Sequence, residues 1–364
     1  MKFPFFKLSL RPSDRGIVLM VGAISLFGIL MVYDSSVAIA VRDFGNQYYY
    51  ATEQLKWLIV GFAALIVFSL VDYHVWYKAA LPILIGTLIL LVAVFLPGIG
   101  IRALGAHRWI NFGFFVLQPA ELAKLSLVIY LSAWFSARER GRFMSFIILL
   151  AMVVGLILIE PDLGTSIIII SISVILYFTS GAPIRNFAIL VPVLILAVVL
   201  LAVLSPYRMA RLTTFLRPNE DTQGASYHIH QALLAIGSGG WFGVGVGQSR
   251  QKYQYLPEAN TDSIFAIIGE ELGFVGSVAV ILAFIFLISR GFRVVKRAPD
   301  AFGKLVALGV TAWIGVQTVV NLSAMVALLP LTGVPLPFIS YGGSSLIIML
   351  AGVGILLNVS RHAK

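Results

Sequence analysis

The sequence predicts an all-α polytopic membrane protein with about ten transmembrane helices, both termini in the cytoplasm and one long extracytoplasmic loop between helices 7 and 8. Composition is the first observation: 59% of the 364 residues are hydrophobic and only 12% are charged, against roughly 25% charged residues in soluble domains. The second is that apolar runs of about 20 residues, long enough to cross a bilayer, recur along the whole chain. These runs fall near 16–38, 54–72, 78–96, 117–136, 143–160, 162–181, 184–205, 262–289, 304–328 and 339–359. We therefore predict a single transmembrane domain, 1–364, with residues 206–261 as its long loop.

The first predicted span follows a basic segment, residues 1–15. No short apolar stretch with a small-residue cleavage site comes after it, so we interpret 16–38 as a membrane helix and not as a signal peptide. The chain has no cysteine, which excludes disulfides, thiolate metal ligands and a cysteine nucleophile. Its net charge of +10 would favour a nucleic acid partner in a soluble protein. In a membrane protein it reflects the excess of Lys and Arg in cytoplasmic loops. We therefore expect the chain to interact with a lipid bilayer and not with nucleic acid.

Positive charges orient the predicted spans. Most of the 26 Lys and Arg residues fall on segments that are inside if the N-terminus is cytoplasmic. Arg138, Arg140 and Arg142, between the fourth and fifth spans, are examples. Most acidic residues fall on the opposite side. Because the bias of short loops sets orientation, both termini are predicted in the cytoplasm.

The loop 206–261 is far longer than a usual connection, which favours a functional segment. Its middle, residues 226–240, alternates polar and apolar positions as in a short amphipathic helix on the membrane surface. His228 and His230 lie there two positions apart, on different faces of a helix, so we predict no metal site. The GVGVG segment, 243–247, lacks the Thr and the aromatic residue of a potassium filter and fits no nucleotide-binding motif.

Four carboxylates lead into the eighth apolar run: Glu258, Asp262, Glu270 and Glu271. Ionisable groups inside a bilayer are costly and usually mark a functional site. For Asp262 two interpretations stay open, and they are compatible. It could cap the helix that begins beside it, or it could be a partly desolvated general base at the membrane surface.

A second polar stretch opens the fourth span. Gln118, Glu121 and Lys124 recur every three residues and so share one face of a helix. A buried Glu121–Lys124 pair that seals the bundle is as plausible as direct contact with a substrate. Asp162, at the sharp turn between the fifth and sixth spans, is expected to cap the next helix.

Cations precede this stretch on the outer side. Arg102 and Arg108 join Lys124 on a face where the positive-inside bias disfavours them, which indicates an anionic ligand such as a phosphate. Arg108 with Trp109 could alternatively be an interfacial anchor.

The segment 328–346 is rich in proline and glycine and carries no charge. Irregular backbone at membrane depth is tolerated where protein buries it or where it lines a cavity. Tyr341, Ser344 and Ser345 would then offer hydroxyls to that cavity; a re-entrant plug without a ligand is the alternative.

Several ordered motifs together resemble the SEDS family (shape, elongation, division, sporulation), which includes RodA and FtsW, over nearly the whole chain. These motifs are RWI (108–110), LQPAELAKL (117–125), EPDLGTS (160–166), LLAIGSGG (233–240), GVGVGQSRQKYQYLPEANTD (243–262), GEELGFVG (269–276) and LPLTGVPLPFISYGGSS (329–345). The residues at 247–258 and 335–343 resemble the FtsW division branch more closely than RodA.

The resemblance implies a peptidoglycan glycosyltransferase of the bacterial cytoplasmic membrane that polymerises lipid II on the outer face. It also implies a partner transpeptidase, a class B penicillin-binding protein, and a catalytic carboxylate at Asp262. The chain departs from the family pattern at Asn260, where a His is usual, at Ser263, where a Phe is usual, and at Glu53, where an Arg is usual.

In this chemistry a lipid-linked pyrophosphate donor needs cations for its leaving group. Arg108, Lys124 and either Arg102 or Arg211 could supply them, with or without a divalent cation such as Mg²⁺ or Mn²⁺, because the sequence does not identify a cofactor. A lipid II flippase is the main alternative, since intramembrane charges and broken helices are also transporter features. A scaffold for division partners would explain the long loop but not the outer cations. The nearly charge-free inner halves of the spans favour the enzyme.

Overall fold

The computed structural model describes residues 13–103, 106–113, 115–137, 142–183, 185–190, 226–253 and 255–363, with the single positions 192, 209 and 215. Ten labelled helices account for most of this part of the chain. They are α1 (Arg15–Phe44), α2 (Tyr49–Leu70), α3 (His74–Ala93), α4 (Pro119–Ser136), α5 (Phe143–Ile159), α6 (Leu163–Thr179), α7 (Tyr227–Ser238), α8 (Ile264–Arg297), α9 (Ala301–Met325) and α10 (Gly343–His362). The fold is thus mostly helical, as predicted.

Six of the described helices, α1, α2, α3, α8, α9 and α10, are long and apolar enough to cross a membrane. Helices α5 and α6 are shorter and also apolar. Residues 185–190 are helical and lie at the start of the predicted seventh span. Most of that span, and the first part of the predicted loop 206–261, lie outside the described residues. The count of ten spans and the extent of the loop therefore stay predictions.

The helices form a bundle with two distinct ends. The end that contains Asp262, called the Asp262 end below, gathers the described residues of the segments 45–48, 94–118, 160–162, 239–263 and 326–342. The opposite end, called the Asp14 end, is tied together by the ion pair of Asp14 with Arg290 at 2.8 Å and by a Tyr73–Asp300 hydrogen bond. The Asp14 backbone N–H also donates to Ser360 Oγ at 3.1 Å, so both ends of the described chain lie on this side.

Close backbone contacts build the centre of the bundle. The most apolar 18-residue stretches of α9 and α10 are 78% buried, whereas those of α3 and α8 are 22% buried. Gly354 of α10 lies where a Cβ would collide with the Leu65 carbonyl of α2. Gly291 of α8 likewise lies against Thr311 of α9. Small residues at crossings let membrane helices approach closely, which is how a bundle packs without a hydrophobic driving force between its helices.

The connection between α3 and α4 is a small sheet, which the all-α prediction did not include. Strands β1 (Gly100–Ala103), β2 (Ala106–Asn111) and β3 (Val116–Leu117) are antiparallel in the order β1-β2-β3. Trp109 pairs with Ile101, and Ile110 pairs with Leu117. The sheet satisfies the backbone of this connection and carries Arg102, Arg108 and Trp109 at the Asp262 end.

Helix α8 is interrupted near its N-terminus. Gly273 has φ +65° and ψ −160°, outside the helical region. The carbonyls of Glu270 and Glu271 accept hydrogen bonds from Val244 and Gly245 of the preceding loop, and Phe274 donates to Gly240. The loop thus forms hydrogen bonds with backbone groups of α8 that have no partner within the helix at the break. This is the condition under which a break is tolerated at membrane depth.

Candidate active site

Asp262 lies two residues before α8 in a well-anchored turn and is 8% exposed. Its backbone carbonyl accepts a hydrogen bond of 2.7 Å from Asn321 of α9, and Thr261 Oγ1 lies 3.4 Å from its Oδ1. The N-cap residue of α8 is Ser263, and no side-chain hydrogen bond caps the helix there. The N-cap position of α8 thus falls on Ser263 and not on Asp262, and both interpretations of Asp262 stay predictions. The carboxylate is placed at the rim of the bundle by backbone contacts.

The segment 329–342 forms the other wall of the site. A Cβ placed on Gly333, whose φ is +68°, would lie 3.8 Å from Asp262 Oδ2. Asn321 Nδ2 bonds both the Asp262 and the Val334 carbonyls, at 2.7 and 2.8 Å, and so joins this segment to the turn that carries the acid. The described part of the segment is irregular, as the sequence predicts, and lies directly beside the candidate base.

The hydroxyl residues predicted in this segment are partly engaged with the fold. The Tyr341 backbone N–H donates to the Asn260 carbonyl at 2.9 Å, and its ring packs edge-on against Tyr50 at 5.1 Å. Ser344 Oγ donates to the Val116 carbonyl at 2.6 Å and accepts from the Gln118 N–H at 3.3 Å. Ser345 is half-buried in the first turn of α10.

Gln54 fixes the position of the same segment from α2. Its side chain donates to the Ser340 carbonyl at 3.2 Å and accepts from the Gly342 N–H at 3.3 Å. Its neighbour Glu53 instead forms an exposed pair with Lys56 at 2.7 Å. The acid that replaces the family's usual Arg therefore faces a surface lysine.

Gln118 and Asp162 connect α4 with α6. Gln118 Nε2 lies 3.2 Å from Asp162 Oδ2. Asp162 caps α6 by accepting from the Thr165 N–H at 2.9 Å, which confirms the predicted cap. Gly164, in the first turn of α6, contacts Thr332 and Val334. The polar end of α4 is thus continuous with the wall beside Asp262.

Arg108 fastens β2 to the turn between α5 and α6. Its Nε donates to the Glu160 carbonyl at 2.9 Å and its Nη2 to the Pro161 carbonyl at 2.7 Å. Trp109 follows it and is half-buried. The backbone of Arg102 pairs with His107, and its side chain lies outside the described part of the chain, as does Arg211. Arg108 is therefore the predicted outer arginine whose side chain the structure places at this end.

Glu121 and Lys124 form the buried pair that the sequence left as one alternative. Lys124 is 1% exposed, and its Nζ lies 2.7 Å from Glu121 Oε1 and 3.1 Å from Gln317 Oε1. The ammonium also lies 5.3 Å from the centre of the Trp313 ring. This enclosure by α4 and α9 has the geometry of a structural pair, as expected for a buried charge.

Sequence reasoning missed a second buried cluster around Lys252. Its Nζ lies 2.8 Å from Asp34 Oδ1 of α1 and 2.9 Å from Glu271 Oε1 of α8. Burial lowers the pKa of Lys252, but its hydrogen bonds to both acids outweigh that and raise it above its ordinary value. The ammonium therefore stays charged.

Glu270 completes this cluster. Its carboxylate accepts from Ser249 Oγ and from the Arg250 N–H, while the Ser249 N–H donates to Glu271 Oε1 at 3.1 Å. Three acids within apolar runs, Asp34, Glu270 and Glu271, thus anchor the loop 249–253 to the bundle. These three acids within apolar runs were the available signals in the sequence.

In the described part of the chain no three His, Cys, Asp or Glu side chains are grouped so as to hold a metal ion. Thr261 Oγ1 lies 2.8 Å from Glu258 Oε2 and 3.4 Å from Asp262 Oδ1, so two carboxylates border this hydroxyl. Enzymes usually hold Mg²⁺ by one or two carboxylates together with water and substrate phosphates. The divalent cation that the sequence leaves open therefore stays a prediction.

Comparison with known proteins gives a consistent result. Residues 15–364 match the FtsW/RodA/SpoVE family profile, which is described as that of cell cycle proteins. A protein of Geobacter sp. strain M18 named "Probable peptidoglycan glycosyltransferase FtsW" is 39% identical over 357 residues, 96% of this chain and 97% of that protein.

Two solved structures share the fold. One, described as "Structural coordination of polymerization and crosslinking by a peptidoglycan synthase complex", contains a chain with a TM-score of 0.81 and 29% identity, with 96% of this chain and 98% of that chain covered. The crystal structure of the Thermus thermophilus rod shape determining protein RodA has a TM-score of 0.71 and 29% identity, with 96% and 97% covered.

Proposed function

The chain belongs to the FtsW/RodA/SpoVE family of cell cycle proteins, and from this premise we propose that it is a peptidoglycan glycosyltransferase in which Asp262 is the general base. The substrate is lipid II, a disaccharide-peptide linked to a polyprenyl pyrophosphate. The chain is a multi-pass membrane protein, and its relatives named FtsW favour a role in cell division over one in elongation.

The observation that carries this proposal is the position of the Asp262 carboxylate. It is largely buried, it adjoins the irregular wall at Gly333, and its backbone is bonded to α9 through Asn321. A carboxylate that is partly shielded from water and rigidly held is suited to accept a proton from a sugar hydroxyl. In one displacement, the acceptor oxygen would form the glycosidic bond as its proton passes to Asp262. The bond between the donor sugar and the pyrophosphate breaks, and the lipid pyrophosphate leaves.

The cations of the Asp262 end support the leaving group in this proposal. Arg108 lies on β2 with two of its five N–H donors on the Glu160 and Pro161 carbonyls, an arrangement that fixes its charge near the mouth of the site. We assign Arg108, and Arg102 on the adjacent strand, to the pyrophosphate. Trp109, Gln118, Tyr341, Ser344 and Ser345 line the approach. Lys124 and Glu121 hold the shape of the bundle from inside.

The active site faces the outside of the cell in this proposal, with the Asp14 end in the cytoplasm. The positive-inside bias supports this orientation, because Arg290, Arg293, Lys296 and Arg297 lie at or near the Asp14 end. A class B penicillin-binding protein is the proposed partner. The related structure described as a complex that coordinates polymerisation with crosslinking supports it.

The distribution of buried charge argues against the flippase. A transporter needs polar groups along a path through both leaflets. In the described residues the buried acids and lysines all lie in the half of the bundle nearer Asp262; they are Asp34, Glu121, Lys124, Glu160, Lys252, Asp262, Glu270 and Glu271. This one-sided arrangement fits chemistry at one surface.

The test is polymerisation of labelled lipid II by the purified protein with its cognate transpeptidase. Asp262→Asn should abolish glycan chains while Asp43→Asn, the same change at an exposed carboxylate paired with Arg42, should leave them unchanged. Equal product from wild type and Asp262→Asn would place the base elsewhere. No polymer from wild type, together with transfer of lipid II across proteoliposome membranes, would replace the enzyme with the flippase.

A further inference from the structure

Helix α7 lies along the first turns of α8 and makes a specific polar contact at its start. His228 Nε2 lies 2.6 Å from Ser263 Oγ. His228 shares a helical face with Ala232 and Ala235, which are fully buried. Further along the helix, Ile236 and Gly239 contact Gly269 of α8. The contact therefore belongs to a packed helix pair.

Ser263 is the residue directly after Asp262 and is fully buried. Its N–H donates to the Glu258 carbonyl at 3.1 Å, and its own carbonyl accepts from Ala266 at 2.9 Å. A buried hydroxyl needs a hydrogen-bond partner, and His228 supplies one. The side chain that follows the candidate base is thus fixed by α7.

The remaining contacts of the turn act on its other side. Asn321 holds the Asp262 carbonyl at 2.7 Å, and Ser340 Oγ donates to the Thr261 carbonyl. Glu258, with φ +50°, begins the turn in a backbone region that few residues other than glycine adopt. Contacts from α9 and the 329–342 wall hold residues 261–262, and the hydrogen bond between His228 and Ser263 holds the next residue from the α7 side.

We propose that His228 is a positioning residue for the transferase reaction, which acts on Asp262 through its hydrogen bond to Ser263. This proposal rests on the proposed function and adds to it a residue of the amphipathic helix. The pair holds the peptide at 262–263 so that the carboxylate stays aimed at the wall near Gly333. In this proposal His228 acts through Ser263 and not by direct contact with the substrate.

Loss of the hydrogen bond should lower kcat and leave the KM for lipid II unchanged. A misplacement of about 1 Å in a catalytic group can cost about 10²-fold in rate. For His228→Leu and for Ser263→Ala we expect kcat to fall by about 10- to 100-fold. His228→Gln should retain most of the activity, because a glutamine amide can reach the same hydroxyl.

His230 offers a matched control on the same helix. It lines a surface depression of about 350 Å³ with Leu233, Leu234, Gly237 and Ser238, away from Ser263. His230→Gln and His230→Leu should therefore leave kcat unchanged. Wild-type kcat in His228→Leu, or a fall in His228→Gln as large as in His228→Leu, overturns the proposal.

Thermal unfolding in detergent tests the pair without activity. In a double-mutant cycle, His228→Leu and Ser263→Ala should each lower Tm, and the double variant should lower it no further than the larger single change. Additive shifts overturn the pairing. If the cycle is non-additive but wild type makes no polymer, the His228–Ser263 hydrogen bond is confirmed. The proposed function and the positioning role are then both wrong.

Discussion

The Lys252 ammonium lies 2.8 Å from Asp34 Oδ1, and this contact fastens the loop that leads to Asp262 onto the first helix. The same ammonium lies 2.9 Å from Glu271 Oε1. One lysine therefore joins α1, the loop and the broken part of α8. Charged groups inside a membrane bundle are retained where they pair with one another.

Replacing Lys252 should destabilise the protein strongly. Lys252 is 4% exposed, and its removal leaves two buried carboxylates without their counter-charge, which costs about 3–5 kcal/mol for a broken buried pair. Lys252→Met should therefore lower the unfolding temperature in detergent. The exposed pair of Lys56 with Glu53 provides a control, because Lys56→Met should change stability by less than about 1 kcal/mol. Equal shifts in the two variants would contradict a structural role for Lys252.

The break in α8 at Gly273 should not tolerate a side chain. Its φ of +65° strains an L residue, and a Cβ there would collide with the backbone of Phe242 and Gly243. Gly273→Ala should lower the unfolding temperature and disturb the loop that bonds Glu270 and Glu271. Gly22→Ala is the control, since nothing lies within 4 Å of its Cβ position and alanine favours a helix by about 1 kcal/mol over glycine. A fully stable Gly273→Ala protein would mean that the break is not fixed by these contacts.

Local features of the site could be predicted from the sequence. The Asp162 cap was visible because its partner, Thr165, is three residues away. The shared face of Glu121 and Lys124 follows from helical spacing alone. The irregular wall was visible in its prolines and glycines. In each case the interacting groups lie within a few positions of one another.

Features that depend on distant parts of the chain could not be predicted. Lys252 and Asp34 are 218 positions apart, and no spacing rule connects them. Gly273 lies within an apolar run whose helical period continues across it, so the break becomes evident only when loop 240–245 supplies the hydrogen bonds. Strand β1 has four residues and β3 has two, too few for an alternating pattern to distinguish them from a loop between two apolar runs.

Replacing Lys124 alone, and then Glu121 and Lys124 together, with methionine distinguishes a structural role of the pair from contact with the substrate. Lys124→Met leaves Glu121 buried and unpaired, and should cost about 3–5 kcal/mol of stability. A Glu121→Met/Lys124→Met double variant removes both charges, and such replacements are often neutral, so stability should return. Polymerisation should return with it. A double variant that is stable but inactive would instead place one of these side chains on the substrate.

Glu160 should make stability depend on pH. It is fully buried at the end of α5, and burial, followed by the charge of Asp162, raises its pKa from 4.5 to about 8, while the charge of Arg108 opposes the shift. Between these two values the unfolded chain loses the proton that the folded chain keeps, so this group's contribution to stability falls as pH rises from 4.5 to 8. Glu160→Gln removes that dependence. We therefore expect the unfolding temperature of wild type minus that of Glu160→Gln to decrease between pH 5 and pH 8. A difference that stays constant would show that Glu160 is ionised in the folded protein throughout this range.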